Sequence, residues 1–555
     1  MITDQPLSNT NPLRDIIINA YRMDETECLE KLIPEATIPA DARARTLSTA
    51  SELVTATRAY NKTQSKVDAL LQQYDLSTEE GISLMCLAEA LLRISDKATM
   101  DKFISDKLSN ADWSSHVSRD NSLFINAATW SLLLTGTVYG PALDNHKSLA
   151  ASLKRSISHL GAAVIRPIIL QMMKAIGSQF VMGEDIASAL QRSQSFQQDG
   201  YLFSFDMLGE AARTAEDAKI YYDAYVTAID AIGKVAQANT PAENPGISIK
   251  LSALHPRYEY NKYEQVMAEL PPLLLALAKQ AKQYNLGLTV DAEEADRLDL
   301  SLDIFEKVFT DPALKDWDGF GLAVQAYQKR ASFVIDWLAD LSASHDKRIM
   351  VRLVKGAYWD AEIKTSQVNG FSNYPVFTRK NSTDVSYLAC AHKLLSQPAL
   401  FYAQFGTHNA YTVAAIMQLA GNNQDFEFQC LHGMGIPLYH QIVDKTKFNR
   451  RCRIYAPVGT HQDLLGYLVR RLLENGANSS FINKIADENT PIDKIVFDPT
   501  ERVAALTSKP HPHIPTPHDI YGKWVNSESL DLSNNHLLRE LKTDMDKVIA
   551  KAASW

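Results

Sequence analysis

Cysteine is scarce in this sequence. Five cysteines are spread over 555 residues, and no two of them stand in a CxxC pair. An odd number without metal or redox spacing argues against a disulfide framework and favours a reducing compartment, so we expect a cytoplasmic protein. Excess positive charge is absent too, since the formal net charge is −9. We therefore expect no nucleic-acid partner, because general nucleic-acid binding needs a basic surface.

Long apolar segments are also missing. No apolar run is long enough to span a bilayer, and residues 1–11 lack the apolar core of a secretory signal. These absences leave peripheral contact with a membrane surface open.

The glycine-rich fingerprints of nucleotide-binding folds are absent as well. No GxGxxG follows a predicted strand, and no P-loop motif occurs. The segment Gly319-Phe-Gly-Leu322 lacks the third glycine and opens a strand instead of leaving one. A doubly wound dinucleotide-binding sheet thus becomes the second choice among α/β folds.

The chain divides into four predicted parts. They are a helical arm (1–35), a helical domain (36–198), a region of alternating strands and helices (199–495) and a Pro-rich linker with a helix (496–555). In the helical domain, apolar spacing near 3.6 residues is clearest at Leu84–Leu91 and Ala163–Ile176. This half carries no chemical motif, so we expect it to serve packing, oligomerisation or shielding.

The third part contains eight short apolar segments, each followed by a plausible helix. The predicted strands are Leu202–Met207, Ile247–Leu254, Leu286–Ala292, Gly319–Ala326, Ile349–Val354, Phe401–Thr407, Phe426–Leu431 and Arg453–Val458. Eight repeats of strand and helix are typical of a closed parallel barrel. The predicted fold class is therefore α/β, a distorted parallel (β/α)8 TIM-like barrel preceded by the helical arm and helical domain.

Alternation within these strands places polar residues on one face. The apolar residues of each strand should face outward, because the helices of a barrel cover that side. The residues then predicted to converge on the lumen are Lys250, Asp291, Gln325, Arg352 and Tyr455. Barrel interiors are usually filled by Val, Ile and Leu, so this set indicates an active site at the strand ends.

Each of these signals also has a plain structural interpretation. Arg352 within a buried strand needs a partner, which a carboxylate on a neighbouring strand would supply. Lys250 is either a structural partner of Asp291 or a Schiff-base nucleophile. Arg470-Arg471 on the last helix fits a solvated face with an Arg–Glu pair. His408 has no second ligand at metal spacing, so no metal site is expected.

Taken together, eight segments resemble the proline dehydrogenase half of the bacterial proline utilisation A flavoenzymes. They are Ile249-Lys-Leu-Ser-Ala-Leu-His-Pro256, Val290-Asp-Ala-Glu-Glu-Ala-Asp296, Gly321-Leu-Ala-Val-Gln-Ala-Tyr327, Val351-Arg-Leu-Val-Lys-Gly-Ala-Tyr-Trp359, Gly406-Thr-His-Asn409, Leu431-His-Gly-Met-Gly435, Arg453-Ile-Tyr-Ala-Pro-Val458 and Tyr467-Leu-Val-Arg-Arg-Leu-Leu-Glu474. They run in the family's order, and the helical half and the tail look similar too.

The resemblance implies FAD-dependent oxidation of L-proline to pyrroline-5-carboxylate, by hydride transfer from proline C5 to flavin N5, with electrons passed to a quinone. It implies that Lys250, Arg470 and Arg471 bind the proline carboxylate, and that Asp291, Ala357, Leu431, Tyr455 and Tyr467 enclose the ring. Arg352 would lie near flavin N5. The other implied cofactor-binding residues are Asp291, Gln325, Val354, Lys355, Gly356, Ala357, Tyr358, Trp359, Thr378, Lys380, Thr407, His408, Leu431 and Glu474.

Two departures from the family pattern limit what is expected. Family members usually continue into an aldehyde dehydrogenase module, whereas this sequence stops at Trp555. Some begin with a small DNA-binding domain, whereas Leu13-Arg-Asp-Ile16 follows the start almost at once. Neither the second oxidation nor DNA binding is therefore expected of this chain. Two other classes stay open, a barrel aldolase using Lys250 or Lys355 as a Schiff base, and a non-enzymatic helical scaffold.

Overall fold

The computed structural model describes residues 11–63, 181–460 and 489–552, together with residues 96, 98–100, 102 and 485. Its centre is a closed barrel of eight parallel strands, in which each strand pairs with the next and the last pairs with the first. The predicted β/α barrel is confirmed, and closure excludes the doubly wound sheet.

The strands are β1 Tyr201–Met207, β2 Gly246–Ile249, β3 Gly287–Val290, β4 Phe320–Gln325, β5 Ile349–Val354, β6 Phe401–Gly406, β7 Phe426–Leu431 and β8 Cys452–Val458. Each of the eight overlaps a predicted strand. Their outward residues, such as Phe203 and Phe205 of β1 and Val351 and Leu353 of β5, are fully buried in the hydrophobic core. Burial of these apolar faces under helices leaves the other face of each strand to the lumen.

Helices precede, surround and follow the barrel. Before it come α1 Pro12–Asn19, α2 Glu25–Ala36, α3 Ala40–Thr63 and α4 Ile186–Gln198. Around it lie α5 Ala215–Val235, α6 Leu251–Leu254, α7 Tyr263–Gln283, α8 Leu298–Phe309, α9 Ala331–His345, α10 Trp359–Asn369, α11 Lys380–Leu395, α12 Ala410–Ala420 and α13 Ile436–Val443. After it come α14 Ile492–Ile495, α15 Pro499–Ala504 and α16 Asn535–Ala552. Short 3₁₀ turns occupy Tyr260–Lys262, Ala295–Arg297, Pro312–Leu314 and Pro517–Asp519.

The predicted extent of the second strand is wrong. We expected it to run to Leu254, but β2 ends at Ile249, whose carbonyl accepts the amide N–H of Asp291 at 2.9 Å. Beyond that point the chain turns into α6, and the amide of Ser252 donates to Glu293 Oε1 at 3.1 Å instead of to a strand. Lys250 therefore stands at the junction between strand and helix.

The N-terminal arm and the C-terminal tail are both attached to the barrel. In the arm, Glu25 accepts hydrogen bonds from the amide and the hydroxyl of Thr378, at 3.0 and 2.7 Å. In the tail, the amide of His511 donates to the same hydroxyl at 2.8 Å. An ion pair between Arg22 and Asp531 joins the arm to the tail directly. Thr378 is thus a shared anchor for two distant segments of the chain.

Several expectations fall outside the part that the structure describes. These are the helical segments at Leu84–Leu91 and Ala163–Ile176, and the helix that carries Arg470 and Arg471. The predicted domain boundaries stay predictions. In the described ranges, no helix is long and apolar enough to cross a bilayer, and the four described cysteines are buried free thiols.

Candidate active site

Four of the five predicted lumen residues meet in one cluster at the carboxyl ends of the strands. Lys250 and Asp291 directly follow β2 and β3, Arg352 lies in β5, and Tyr455 lies in β8. Lys250, Asp291 and Arg352 are buried, and Tyr455 is partly exposed. Because all strands are parallel, their carboxyl ends meet at one face of the barrel, where barrel active sites lie.

Asp291 is the centre of this cluster. Its Oδ1 atom accepts a hydrogen bond from Arg352 Nη1 at 2.7 Å, and its Oδ2 atom accepts one from the Tyr455 hydroxyl at 2.6 Å. Lys250 Nζ lies 3.4 Å from Oδ2. One carboxylate thus contacts a guanidinium, a phenol and an ammonium, so moving any of them disturbs the rest.

Lys250 is held as a charged ammonium. Its Nζ atom donates to Asp206 Oδ1 at 2.7 Å and lies 3.4 Å from the Tyr455 hydroxyl. Burial by itself would lower the pKa of Lys250, but the surrounding Asp206, Tyr455 and Asp291 outweigh it and raise that pKa well above its usual value, with the two aspartates supplying the negative charge. The side chain is therefore a cation suited to binding an anion.

Arg352 is fixed by two serines as well as by Asp291. Its Nη1 atom donates to Ser248 Oγ at 2.9 Å and its Nη2 atom to Ser204 Oγ at 3.0 Å, while the two serine hydroxyls are 3.1 Å apart. The Nε atom of Arg352 is buried and has no hydrogen-bond partner among the described residues. A buried donor left unpaired costs free energy, so this position favours a ligand that accepts a hydrogen bond.

Gln325 does not share the hydrogen bonds of this cluster. It is buried at the end of β4, and its Oε1 atom accepts from Gln328 Nε2 at 2.7 Å. Gln328 Oε1 in turn accepts from Arg330 Nε at 3.0 Å. Gln325 thus belongs to a neighbouring polar chain, and its role at the cofactor stays a prediction.

The segment after β5 leaves the barrel partly exposed. Val354, Lys355, Gly356, Ala357, Tyr358 and Trp359 are all partly accessible. Lys355 forms an ion pair with Asp384, and Trp359 Nε1 donates to the Phe377 carbonyl at 2.8 Å. Gly356 has φ +127°, and a Cβ atom there would lie 2.5 Å from the Tyr327 ring. Glycine is therefore required at this turn, which brings backbone to the strand ends.

Thr378 lies two residues before α11, and Lys380 is the first residue of that helix. Both polar groups of Thr378 are used by the contact with Glu25, and Thr378 is buried. Burial raises the pKa of Glu25, although the hydrogen bonds from Thr378 oppose that shift. Lys380 is exposed as the first residue of α11. The cofactor roles of both residues stay predictions.

Thr407, His408 and Leu431 lie together at the ends of β6 and β7. His408 Nε2 accepts the amide N–H of Leu431 at 3.2 Å, and the Thr407 carbonyl accepts the hydroxyl of Tyr439 at 2.6 Å. Gly435 has φ +71°, and a Cβ atom there would lie 2.6 Å from His408 Cδ2. In the described ranges, no group of His, Cys, Asp or Glu has the arrangement of a metal site.

Four predicted site residues lie outside the described residues. They are Tyr467, Arg470, Arg471 and Glu474. Their placement around the substrate and cofactor stays a prediction from the resemblance.

Sequence analysis missed Asp206, Ser204 and Ser248 as members of the cluster. Ser204 and Asp206 alternate with Phe203 and Phe205 in β1, so the alternation rule used for the other strands applies here too. Ser248 shares a face with Lys250 but carries no charge. Strand alternation in β1 therefore contained the signal for Asp206. Asp206 is fully buried, so its contact with Lys250 is stronger than that of an exposed pair.

The barrel carries buried acid, cation and phenol groups at its strand ends. This arrangement is typical of a β/α-barrel enzyme. The comparison with known families narrows this class. A family model described as "Proline dehydrogenase" matches residues 189–484, and one described as "Proline utilization A proline dehydrogenase N-terminal domain" matches residues 11–58. The chain belongs to the proline dehydrogenase family.

Relatives extend the match over nearly the whole chain. "Bifunctional protein PutA" of Klebsiella aerogenes is 52% identical over 548 residues, which cover 96% of this chain and 42% of that protein. "Proline dehydrogenase 1" of Bacillus subtilis is 27% identical over 326 residues, 57% of this chain and 94% of that protein. A crystal structure of Bradyrhizobium japonicum proline utilization A superposes with a TM-score of 0.74 at 44% identity, covering 98% of this chain and 53% of that one. This chain thus spans less than half the length of its curated PutA relative.

A third family model corrects one expectation. Residues 66–180 match a model described as "DNA-binding domain of Proline dehydrogenase". That description runs against the expectation, drawn from the net charge, that the chain has no nucleic-acid partner, and we withdraw that expectation. Nearly all of the matched residues lie outside the part of the chain that the structure describes.

Proposed function

We propose that this chain oxidises L-proline to pyrroline-5-carboxylate with FAD as its cofactor and a quinone as the final electron acceptor. The observation that carries the proposal is the cluster of Lys250, Asp291, Arg352 and Tyr455 at the strand ends of a barrel of this family. The near-complete coverage of the Bacillus relative supports placing this activity in the barrel.

The site offers the substrate one charged surface and one less polar surface. The Lys250 ammonium is a charge-assisted donor for the proline carboxylate, and Arg470 and Arg471 are the predicted second and third donors. The partly exposed ring of Tyr455 and the side chain of Leu431 provide the flat, less polar walls that ring methylenes need. Fixed strand ends hold the ring in one orientation, which is the main contribution a protein makes to hydride transfer.

The residues present fit a flavin. When bound, FAD supplies the hydride acceptor for proline C5, and the imine forms as the substrate also gives up its amine proton. The unpaired Nε atom of Arg352 is a donor suited to a ring nitrogen, and residues Val354–Trp359 offer partly exposed backbone beside it. Arg352 is the residue we assign to the flavin ring, and Thr407, His408 and Lys380 are assigned to the rest of the cofactor.

The Schiff-base alternative is disfavoured by the charge of Lys250. An amine attacks a carbonyl only when it is neutral. The carboxylates of Asp206 and Asp291 raise the pKa of Lys250 against the opposing effect of burial, so the neutral form is rare. Lys355 already pairs with the carboxylate of Asp384. Burying charged groups costs free energy, and a scaffold without activity would gain nothing from this cluster.

Electrons would leave through a quinone, which implies a cytoplasmic protein with peripheral contact at the inner face of the membrane. The longer length of the PutA relatives is consistent with fusion to an aldehyde dehydrogenase module outside this sequence. Both statements extend the proposal beyond the barrel and rest on the relatives.

Turnover with a soluble quinone tests the proposed function. The purified chain with added FAD should reduce the quinone only when L-proline is present, and the product should react with an o-aminobenzaldehyde trap for cyclic imines. Borohydride treatment with a carbonyl probe such as pyruvate should leave Lys250 and Lys355 unmodified in mass spectrometry. Absence of the imine, or a borohydride-trapped lysine adduct, would contradict the proposal in favour of the aldolase.

A further inference from the structure

Asp206 is a buried carboxylate that belongs to neither the predicted substrate-binding nor the predicted cofactor-binding residues. It lies in β1 one residue before the strand ends, and it is fully buried. Its Oδ1 atom is 2.7 Å from Lys250 Nζ, the shortest contact that this ammonium makes with a described residue. A charge buried this deeply needs a compensating charge, and Lys250 is the cation beside it.

The other carboxylate near Lys250 is shared. Asp291 accepts from Arg352 at 2.7 Å and from Tyr455 at 2.6 Å, so its negative charge is already balanced by a closer cation. Lys250 reaches Asp291 and Tyr455 only at 3.4 Å. Among the described cations, Lys250 is therefore the one that Asp206 contacts.

These distances also indicate which contacts can exchange. An ammonium has three N–H donors, and those of Lys250 face Asp206, Asp291 and Tyr455. Contacts of 3.4 Å are weak hydrogen bonds, whereas 2.7 Å is short and charge-assisted. A substrate carboxylate entering from the strand ends would displace the two long contacts and leave the contact with Asp206 in place.

We propose that Asp206 is a positioning residue that keeps Lys250 charged and oriented, so that its ammonium can bind the carboxylate of the substrate. This inference rests on the proposed function, in which Lys250 contacts proline. Asp206 does not touch the substrate itself. It acts through Lys250, by holding one N–H group from the buried side while the other two turn toward the strand ends.

The pH dependence of carboxylate binding separates this role from a purely structural one. Among the residues that the structure describes, the titratable groups that face Lys250 are Asp206, Asp291, Tyr455 and Tyr225, with Arg352 behind Asp291. In the wild type, the ammonium persists to high pH, so the affinity for a carboxylate should be flat. Without the charge of Asp206, burial should bring the deprotonation of Lys250 into the measurable range, and the affinity should fall as pH rises.

The test measures binding of tetrahydrofuran-2-carboxylate, which has the ring and carboxylate of proline but no titrating amine, to the FAD-loaded protein by calorimetry. For Asp206→Asn we expect affinity about tenfold below wild type at about pH 7, and a further loss of about tenfold by about pH 9.5. The control Asp336→Asn removes a charge from an ion pair with Lys393 outside the site and should bind like the wild type.

The possible outcomes distinguish a failure of the proposed role of Asp206 from a failure of the proposed function. If the wild type binds the analogue and is reduced by proline, but Asp206→Asn matches it at every pH, the inference is wrong and the function stands. If the wild type neither binds the analogue nor is reduced by proline, the proposed function fails. Should Asp206→Asn not fold, Asp206→Ser removes the same charge. A loss of affinity above neutral pH in the wild type itself would overturn the inference without any variant.

Discussion

The hydroxyl of Tyr455 donates a 2.6 Å hydrogen bond to Oδ2 of Asp291, joining β8 to the end of β3 across the mouth of the barrel. These strands are not neighbours in the sheet, so no backbone ladder imposes the contact. Burial and the nearby charges of Asp206 and Asp291 raise the pKa of Tyr455 well above its usual value, so the phenol stays a donor. This contact fixes the position of the Tyr455 ring and occupies the Oδ2 atom of Asp291.

Removing the Tyr455 hydroxyl should impair proline oxidation. A hydrogen bond to a charged group contributes about 1.5–3 kcal/mol, so Tyr455→Phe should lower kcat/KM for proline by about ten- to a hundred-fold. Tyr402→Phe is a matched control, because Tyr402 donates to the buried Glu427 at 3.2 Å near the opposite end of the barrel. That control should keep kcat/KM while losing some thermal stability. Equal kinetic losses in both variants would indicate general destabilisation instead.

Arg352→Met should weaken flavin retention or slow flavin reduction. A cation at the flavin ring favours the negatively charged reduced form, so its loss should make the flavin reduction potential more negative. The measurement is a potentiometric titration together with the ratio of FAD to protein. Arg348→Met, at the other end of the same strand, serves as the control, since Arg348 pairs with Asp425 at 2.7 Å. An unchanged potential, reduction rate and FAD content in Arg352→Met would rule out its role at the flavin.

Arg470 and Arg471 are predicted to bind the substrate carboxylate. Adjacent positions on a helix point about 100° apart, so two cations can contact one carboxylate from different sides. Replacing either with Met should lower kcat/KM by about ten- to a hundred-fold, with some loss in kcat and little loss of FAD. Arg257→Met, from an exposed pair with Glu259, should behave like the wild type. Wild-type kinetics in both Arg470→Met and Arg471→Met would instead support a solvated helix face.

His432 should make the fold sensitive to mild acid. It is buried against the edge of Phe196, and neither ring nitrogen has a hydrogen-bond partner among the described residues. Burial, with a smaller effect from the charge of Arg192, lowers the pKa of His432 to about 3. In the unfolded chain, His432 binds a proton at about pH 6.5, whereas the folded protein binds it only near pH 3. The contribution of neutral His432 to the free energy of unfolding is therefore complete above about pH 6.5 and is lost as the pH falls toward 3.

The variant His432→Leu should remove this acid sensitivity. Between about pH 7 and about pH 5 the wild type should lose about 2 kcal/mol of unfolding free energy through this group, and the variant should not. Chemical denaturation at both pH values measures the difference. His513→Leu changes an exposed histidine and should keep the wild-type pH dependence. A parallel pH dependence in wild type and His432→Leu would exclude His432 as the cause.

Much of this architecture was predictable because strand alternation is local. The apolar and polar faces of β3 and β5 placed Asp291 and Arg352 in the lumen before any contact was known, and the structure brings them to 2.7 Å. The same reasoning, applied to β1, would have included Asp206. It failed at β2, where Glu293, from a distant part of the sequence, bonds the amide of Ser252 and ends the strand early.

Other features depend on contacts that no local pattern encodes. Glu25 meets Thr378 across 353 positions of sequence, and the tail meets the same hydroxyl through His511. Neither the arm nor the tail carries a periodic signal that would specify this meeting point. The serines that hold Arg352 are absent from the predicted site, although Ser248 shares a face with Lys250, because small uncharged residues in a strand have many uses.

Anaerobic mixing of the purified FAD-loaded chain with L-proline shows whether this chain oxidises proline. Proline should bleach the yellow flavin, with one imine formed for each flavin reduced, and Lys250→Met should slow this step at low proline concentration. Replacing the hydrogens on proline C5 with deuterium should slow bleaching, because that C–H bond breaks. A flavin that stays oxidised under excess L-proline, or that is reduced at a rate insensitive to deuterium at C5, would contradict hydride transfer from proline C5.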